Sequence, residues 1–144
     1  MSISEQLNRL QSDYQVLYQK LRNYHWNVVG PQFFGLHPQF EAMYTEVAVH
    51  IDNIAERTLA IGVKPAVTTL AGQLKLASLK EDETSPEAAI MVANLKSDLE
   101  NLNRSLRALS KSAGEAGDIA TVNLADAIAD AQEKTVWMLR AFGE

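Results

Sequence analysis

HWNVVGPQFFGLHPQFEAMYTEVAVHIDNIAER, residues 25 to 57, holds both the break and the period that decide the fold. Ahead of it, apolar side chains recur at Leu7, Leu10, Tyr14, Leu17, Leu21 and Tyr24, in steps of three and four that line one side of a helix. Val28, Gly30 and Pro31 interrupt that pattern. A second series then runs Phe40, Tyr44, Val47, Ile51, Ile54, Thr58 and Ile61 before Gly62 and Pro65 stop it. A short turn between two amphipathic helices makes them antiparallel neighbours.

The same period returns further on. Ser85-Pro86-Glu87 offers a capping side chain ahead of a proline at a first helical position, and Ala88, Val92, Leu95, Leu99, Leu102, Leu106 and Leu109 follow, ending near Gly114. After Gly117 and Asp118, the spacing of Leu124, Ile128, Ala131, Thr135, Met138 and Phe142 predicts a fourth helix almost to the C-terminus. The second and third helices are separated by residues 62–84, a long crossover in which Ala66 to Ala77 is helix-capable, with Leu70 and Leu74 one turn apart. The expectation is a single all-α domain over residues 1–144. One long crossover joining two helical hairpins is the ferritin-like connectivity, with a short helix lying in the crossover.

Composition narrows the chemistry. With 144 residues, 47% of them hydrophobic, the chain has apolar material for one core, and 22% charged residues argue against disorder. No window reaches the roughly 18 apolar residues of a membrane span, and the start carries no basic end or apolar signal core, so a cytoplasmic protein is expected. Cysteine is absent, which leaves any metal to oxygen and nitrogen ligands. A net charge of −5 favours cationic guests over wholesale attraction to nucleic acid.

Helical arithmetic picks out those ligands. With His37 set at zero and about 100° per residue, Glu41 falls near 40°, Asp52 near 60° and Glu56 near 100°, while the apolar stripe centres near 300°. Four metal-competent side chains therefore share a face beside the core stripe, with the small residues Thr45, Ala48 and Ala55 between or near them. At about 1.5 Å per residue, His37 and Asp52 lie roughly 22 Å apart along the axis and cannot grip one ion. A second copy of this helix, antiparallel about a two-fold axis near residues 46 and 47, brings His37 and Glu41 of one chain to Asp52 and Glu56 of the other, and symmetry gives two equal sites. His25, at the end of the first helix, joins the same cluster. An intrachain di-iron bundle needs Glu-x-x-His pairs, and the residues three before each His are Arg22, Phe34 and Val47. Mixed imidazole and carboxylate ligands suit Fe(II), with Zn(II) or Mn(II) as competitors.

From His25 to Glu41, then Tyr44, then Asp52 to Arg57, the sequence strongly resembles the signature of the Dps mini-ferritins, the starvation-induced DNA-protection proteins. The segment Trp137 to Phe142 is similar to the family's last helix. The resemblance implies a hollow homo-dodecamer that binds Fe(II) between subunits, oxidises it with hydrogen peroxide in preference to dioxygen, and stores the ferric product. It also implies His25, His37, Glu41, Asp52 and Glu56 as ligands. Position 41 is commonly Asp in the family and is the longer Glu here. Many members coat DNA through basic terminal extensions; here the first basic residue is Arg9 and the chain closes Phe142-Gly143-Glu144, so strong DNA binding is not expected. A DNA-coating protein and a non-ferroxidase, zinc-binding helical oligomer are the alternatives.

Other residues have two readings each. Asp52 and Glu56 are ligands, or an exposed pair bonded to Arg57 or Arg22. Trp26 packs, or donates an electron to an oxidising equivalent that escapes the iron. Trp137 is an apolar anchor at a core or subunit contact. His50, near 220°, falls away from the ligand face and reads as exposed or subunit-facing. Asp118, Asp126 and Asp130 supply charge at the start of the last helix; in the family, acidic residues there line a three-fold pore that draws Fe(II) inward.

Overall fold

The computed structural model describes residues 1–64 and 68–143. Four long helices and one short one follow in order: α1 Ile3–Asn27, α2 Phe33–Ala60, α3 Leu70–Leu76, α4 Ala88–Glu115 and α5 Ile119–Phe142. There is no strand among the described residues, and the ferritin-like all-α class read from the periods is the one observed. No described helix is long and apolar enough to cross a membrane.

Local chemistry sets the ends. Ser2 accepts from the Glu5 backbone N–H and Glu5 reaches back to the Ser2 N–H, a reciprocal cap that starts α1. Gly30, at φ +100°, turns the chain into α2, whose first N–H groups fall back on the Gly30 and Gln32 carbonyls. Pro38 lies inside α2, past the first turn, and so supplies no N–H to the Phe34 carbonyl one turn back. Thr69 caps α3, and Leu70 and Leu74 lie on it as anticipated; Pro65 and Ala66, the proposed stop of α2 and start of α3, lie outside the described residues.

Two expectations shift. α4 begins at Ala88 with Glu87 as its flanking residue and no side-chain cap, so Pro86 precedes the helix rather than opening it. The Ser85 hydroxyl lies instead 3.5 Å from Asn23 Oδ1. On α5 the buried face is Ala125, Ile128, Ala129, Gln132, Val136 and Leu139; Ala131 and Met138 are exposed. The apolar series misplaced this stripe because a core position is polar. Gln132 is buried and satisfied: Tyr14 Oη donates to its Oε1 at 2.7 Å, and its Nε2 donates to the Leu99 carbonyl and Asn103 Oδ1.

The hairpins α1–α2 and α4–α5 pack through their apolar stripes, α1 meets α4 across the core, and α3 rests on α1. Polar clamps hold the crossover there. Buried Asp13 accepts from Ser78 N, Ser78 Oγ and Leu79 N, and Tyr24 Oη donates to Asp82 at 2.6 Å. Lys20 pairs with Asp98 at 2.8 Å between α1 and α4, where burial pushes the Asp98 carboxyl above its ordinary range.

Candidate metal centre

The α1–α2 turn places His25 and His37 face to face. Their rings stack with centroids 3.8 Å apart and planes within 13°. Each also reaches the other's backbone: His25 Nδ1 donates to the His37 carbonyl at 2.6 Å, and His37 Nδ1 donates to the His25 carbonyl at 2.7 Å. A carbonyl only accepts, so Nδ1 carries the proton in each ring and the neutral imidazole presents Nε2 as its lone-pair nitrogen. That is the arrangement in which an outer hydrogen bond fixes a metal-binding histidine.

Packing holds the pair on both sides. Phe33 stacks on His37 at 4.9 Å, and Tyr44 meets His25 edge-on at 5.3 Å. His25 is 6% exposed. Glu41, one turn along α2, brings Oε1 to 3.7 Å from His25 Nε2 while its side chain stays 58% exposed. Two imidazoles and a carboxylate thus lie near one another at this end of α2.

The rest of the set lies elsewhere on α2. Asp52 and Glu56 are exposed, and neither takes part in an ion pair among the described residues. The reading in which Arg57 or Arg22 neutralises them does not hold. Arg57 donates to Asp118 and Thr121 of α5, and Arg22 lies over the rings of Tyr18 and Trp26. Among the described residues no three His, Asp or Glu side chains of one chain converge as a metal site. Thr45 and Ala48 keep the intervening face low and exposed.

Other assignments resolve differently. Asp118 caps α5 by accepting from the Thr121 N–H at 3.1 Å and pairs with Arg57 at 2.9 Å. The Thr121 hydroxyl first, then the Thr121 N–H and the Arg57 guanidinium, hold its carboxyl below the usual range. That carboxylate is committed within the chain, unlike the exposed Asp126 and Asp130. His50 is not exposed, which corrects that half of its sequence reading: its side chain is only 14% exposed, tilted against Tyr14 at 5.4 Å and 3.6 Å from Glu46. Burial pushes its imidazole below the ordinary value. Trp26 and Trp137 are each 55% exposed, so neither is a core anchor of the chain.

Tyr18 has no role in the sequence reading, and Tyr44 enters it only through the apolar series of α2 and the family motif. They meet edge-on at 5.7 Å beside His25. The signal was available for one of them: Tyr18, Arg22 and Trp26 are spaced by four, the interval that stacks side chains along a helix.

A family model described as a ferritin-like domain matches residues 4–144. A DNA protection during starvation protein of Brevibacillus brevis is 49% identical over 138 residues, covering 96% of this chain and 92% of its own. The crystal structure of a Dps protein from Bacillus brevis superposes with a TM-score of 0.95 at 47% identity, covering 99% of this chain and 95% of that one. A Vibrio cholerae Dps structure, described as a member of a broad superfamily of ferritin-like diiron-carboxylate proteins, gives a TM-score of 0.95 at 37% identity, with 99% and 89% covered.

Proposed function

We propose that this chain, which belongs to the Dps family of ferritin-like proteins, oxidises Fe(II) with hydrogen peroxide at sites shared between two subunits and stores the ferric product in a hollow dodecamer. The observation that carries the reading is the split ligand set. His25, His37 and Glu41 are assembled at one end of α2, and Asp52 and Glu56 stand bare toward the other. A second copy of α2 running antiparallel joins the two halves.

The donors suit the substrate. Two neutral imidazoles and three carboxylates offer Fe(II) a mixed nitrogen and oxygen site without thiolates, open to Zn(II) as a redox-inert competitor. Each Fe(II) gives up one electron and peroxide takes two, so two ions oxidised together reduce one peroxide to two hydroxides with no radical released. Within this chain, the Nδ1 hydrogen bonds fix the imidazoles before the ion arrives, and the carboxylates of the partner copy balance its charge. Phe33 and Tyr44 shield the imidazole side from water.

Oligomerisation has further support in what the single chain leaves uncovered. Phe34 is 89% exposed, Leu70 71% and Leu59 55%, apolar side chains that neighbouring subunits would cover. Protection of the cell is then chemical, by removal of Fe(II) and peroxide in the cytoplasm, and with a net charge of −5 strong DNA binding is no part of it. Anaerobic Fe(II) titration of the purified oligomer, followed by peroxide, tests the reading beside His37→Ala. Saturable Fe(II) binding and fast oxidation only in the wild type support it; equal rates in both proteins overturn it.

A further inference from the structure

The groove between α4 and α5 is lined by side chains that the candidate metal centre leaves unused. Glu100, Asn103, Arg104 and Arg107 follow one face of α4 at helical spacing, and Glu133, Val136 and Arg140 follow one face of α5. The cavity between them measures about 240 Å³. In a chain of net charge −5, three guanidinium groups on one groove reverse the sign locally.

Both carboxylates of the groove are already taken. Glu133 accepts from Arg107 at 2.5 Å, and Glu100 pairs with Lys96 at 3.8 Å. Arg104 and Arg140 have no ion pair among the described residues, and the Arg104 guanidinium donates only to the Asn101 side chain. Deeper in the groove lies Asn103, 5% exposed. Its Oδ1 accepts from Gln132 Nε2 at 2.9 Å, whereas its Nδ2 donates to no acceptor among the described residues. A buried amide donor is ordinarily satisfied, and the groove is what remains to satisfy this one.

We propose that the α4–α5 groove binds a small tetrahedral oxyanion of the phosphate class, held by Arg104 and Arg140 from the two helices and by Asn103 Nδ2 from the floor. A guanidinium presents paired N–H groups in a planar fork that matches two phosphate oxygens at once. The cavity is smaller than the roughly 300–1,000 Å³ pockets that take drug-sized ligands, so it suits inorganic phosphate or the head of a small monoester rather than a nucleotide. A duplex phosphodiester has only two free oxygens, whereas donors on two walls and a floor match the four oxygens of a free anion. The bound anion ties α4 to α5 and stabilises the hairpin by mass action.

Calorimetric titration of inorganic phosphate into the purified oligomer at low chloride tests this, beside Arg104→Gln, Arg140→Gln and Asn103→Asp. The last keeps an oxygen for Gln132 while turning the free donor into a repelling carboxylate oxygen. Saturable binding is expected in the wild type, weakened about tenfold by either arginine change, as the loss of one charge-assisted contact predicts, and abolished in Asn103→Asp. The titration contains no iron, so its outcome is independent of the ferroxidase reading. Wild-type binding of phosphate no tighter than of chloride overturns the proposal, as does equal affinity in wild type and both arginine variants. Retention of duplex DNA that is lost in those variants, with no binding of free phosphate, would make the groove a nucleic-acid surface instead. Dissociation of the arginine variants into smaller species, with no phosphate bound by the wild type, would make these side chains subunit contacts and equally refute it.

Discussion

At its start α2 gives His37 to a ring stack and to reciprocal contacts with α1, whereas farther along it holds Asp52 and Glu56 out from the surface without an ion pair among the described residues. The imidazole half is held by intrachain packing; the carboxylate half is exposed, and we propose that a second subunit completes it. The difference separates two kinds of residue that a list of ligands would merge. Under the proposed function, histidines of the first half serve both folding and function, and carboxylates of the second serve function alone.

His37→Ala should break the contrast most visibly. Peroxide-driven Fe(II) oxidation is expected to fall about a hundredfold, the scale on which metal sites respond to lost ligation or support. Urea unfolding should show an accompanying loss of about 1–2 kcal/mol, since the His25 carbonyl loses its donor and His25 its stacking partner. Asp52→Ala should lose as much oxidation but stay within about 0.5 kcal/mol of wild-type stability, as exposed positions do. A destabilisation equal to that of His37→Ala would show that Asp52 has a structural partner.

Mixing the two variants sharpens the point. Co-refolded His37→Ala and Asp52→Ala subunits place one complete site in each mixed pair, and random pairing should restore roughly a quarter of wild-type oxidation. No recovery, in oligomers shown by mass spectrometry to be mixed, would mean the halves do not meet across subunits.

A smaller effect comes from Arg57, the residue beside Glu56. Its guanidinium ties the last turn of α2 to Asp118, the cap of α5. Asp118→Asn keeps a cap but loses the ion pair with Arg57, and should cost up to about 1 kcal/mol at neutral pH. Because the folded carboxyl is held below its ordinary value, this contribution is present above about pH 4 and fades as pH falls through the folded value. The gap between wild type and variant in urea unfolding should therefore close in acid; a gap that widens there would contradict the assignment. Smallest of all, Asp126→Asn, on the acidic stretch we propose as pore-lining, should slow stopped-flow iron entry a few-fold while oxidation at the site is unchanged. Unchanged uptake would leave Asp126 as helix charge.

Much of this was legible in the sequence because long helices advertise themselves by period. The face carrying His37, Glu41, Asp52 and Glu56 followed from 100° steps, and all but His37 are in fact exposed. What failed depended on neighbours. His50 lies about 80° from the centre of the apolar stripe, and neighbours such as Tyr14 of α1 bury it. Gln132 hid the α5 core because a buried amide has no hydrophobic signature; its acceptability rests on Tyr14, Leu99 and Asn103. The reciprocal histidine contacts depend on how the turn at Gly30 aligns two helix ends, which no single-helix wheel contains.

Asp13 carries a last consequence. Ser78 and Leu79 lie outside every helix, yet both amides donate to this buried carboxylate on α1. Deuterium exchange at these two positions should then be as slow as inside the bundle rather than at the pace of a surface loop, because the proton is released only when the crossover lifts from α1. Two amides in an irregular segment thus serve as native reporters of the opening of the α1 side of the molecule.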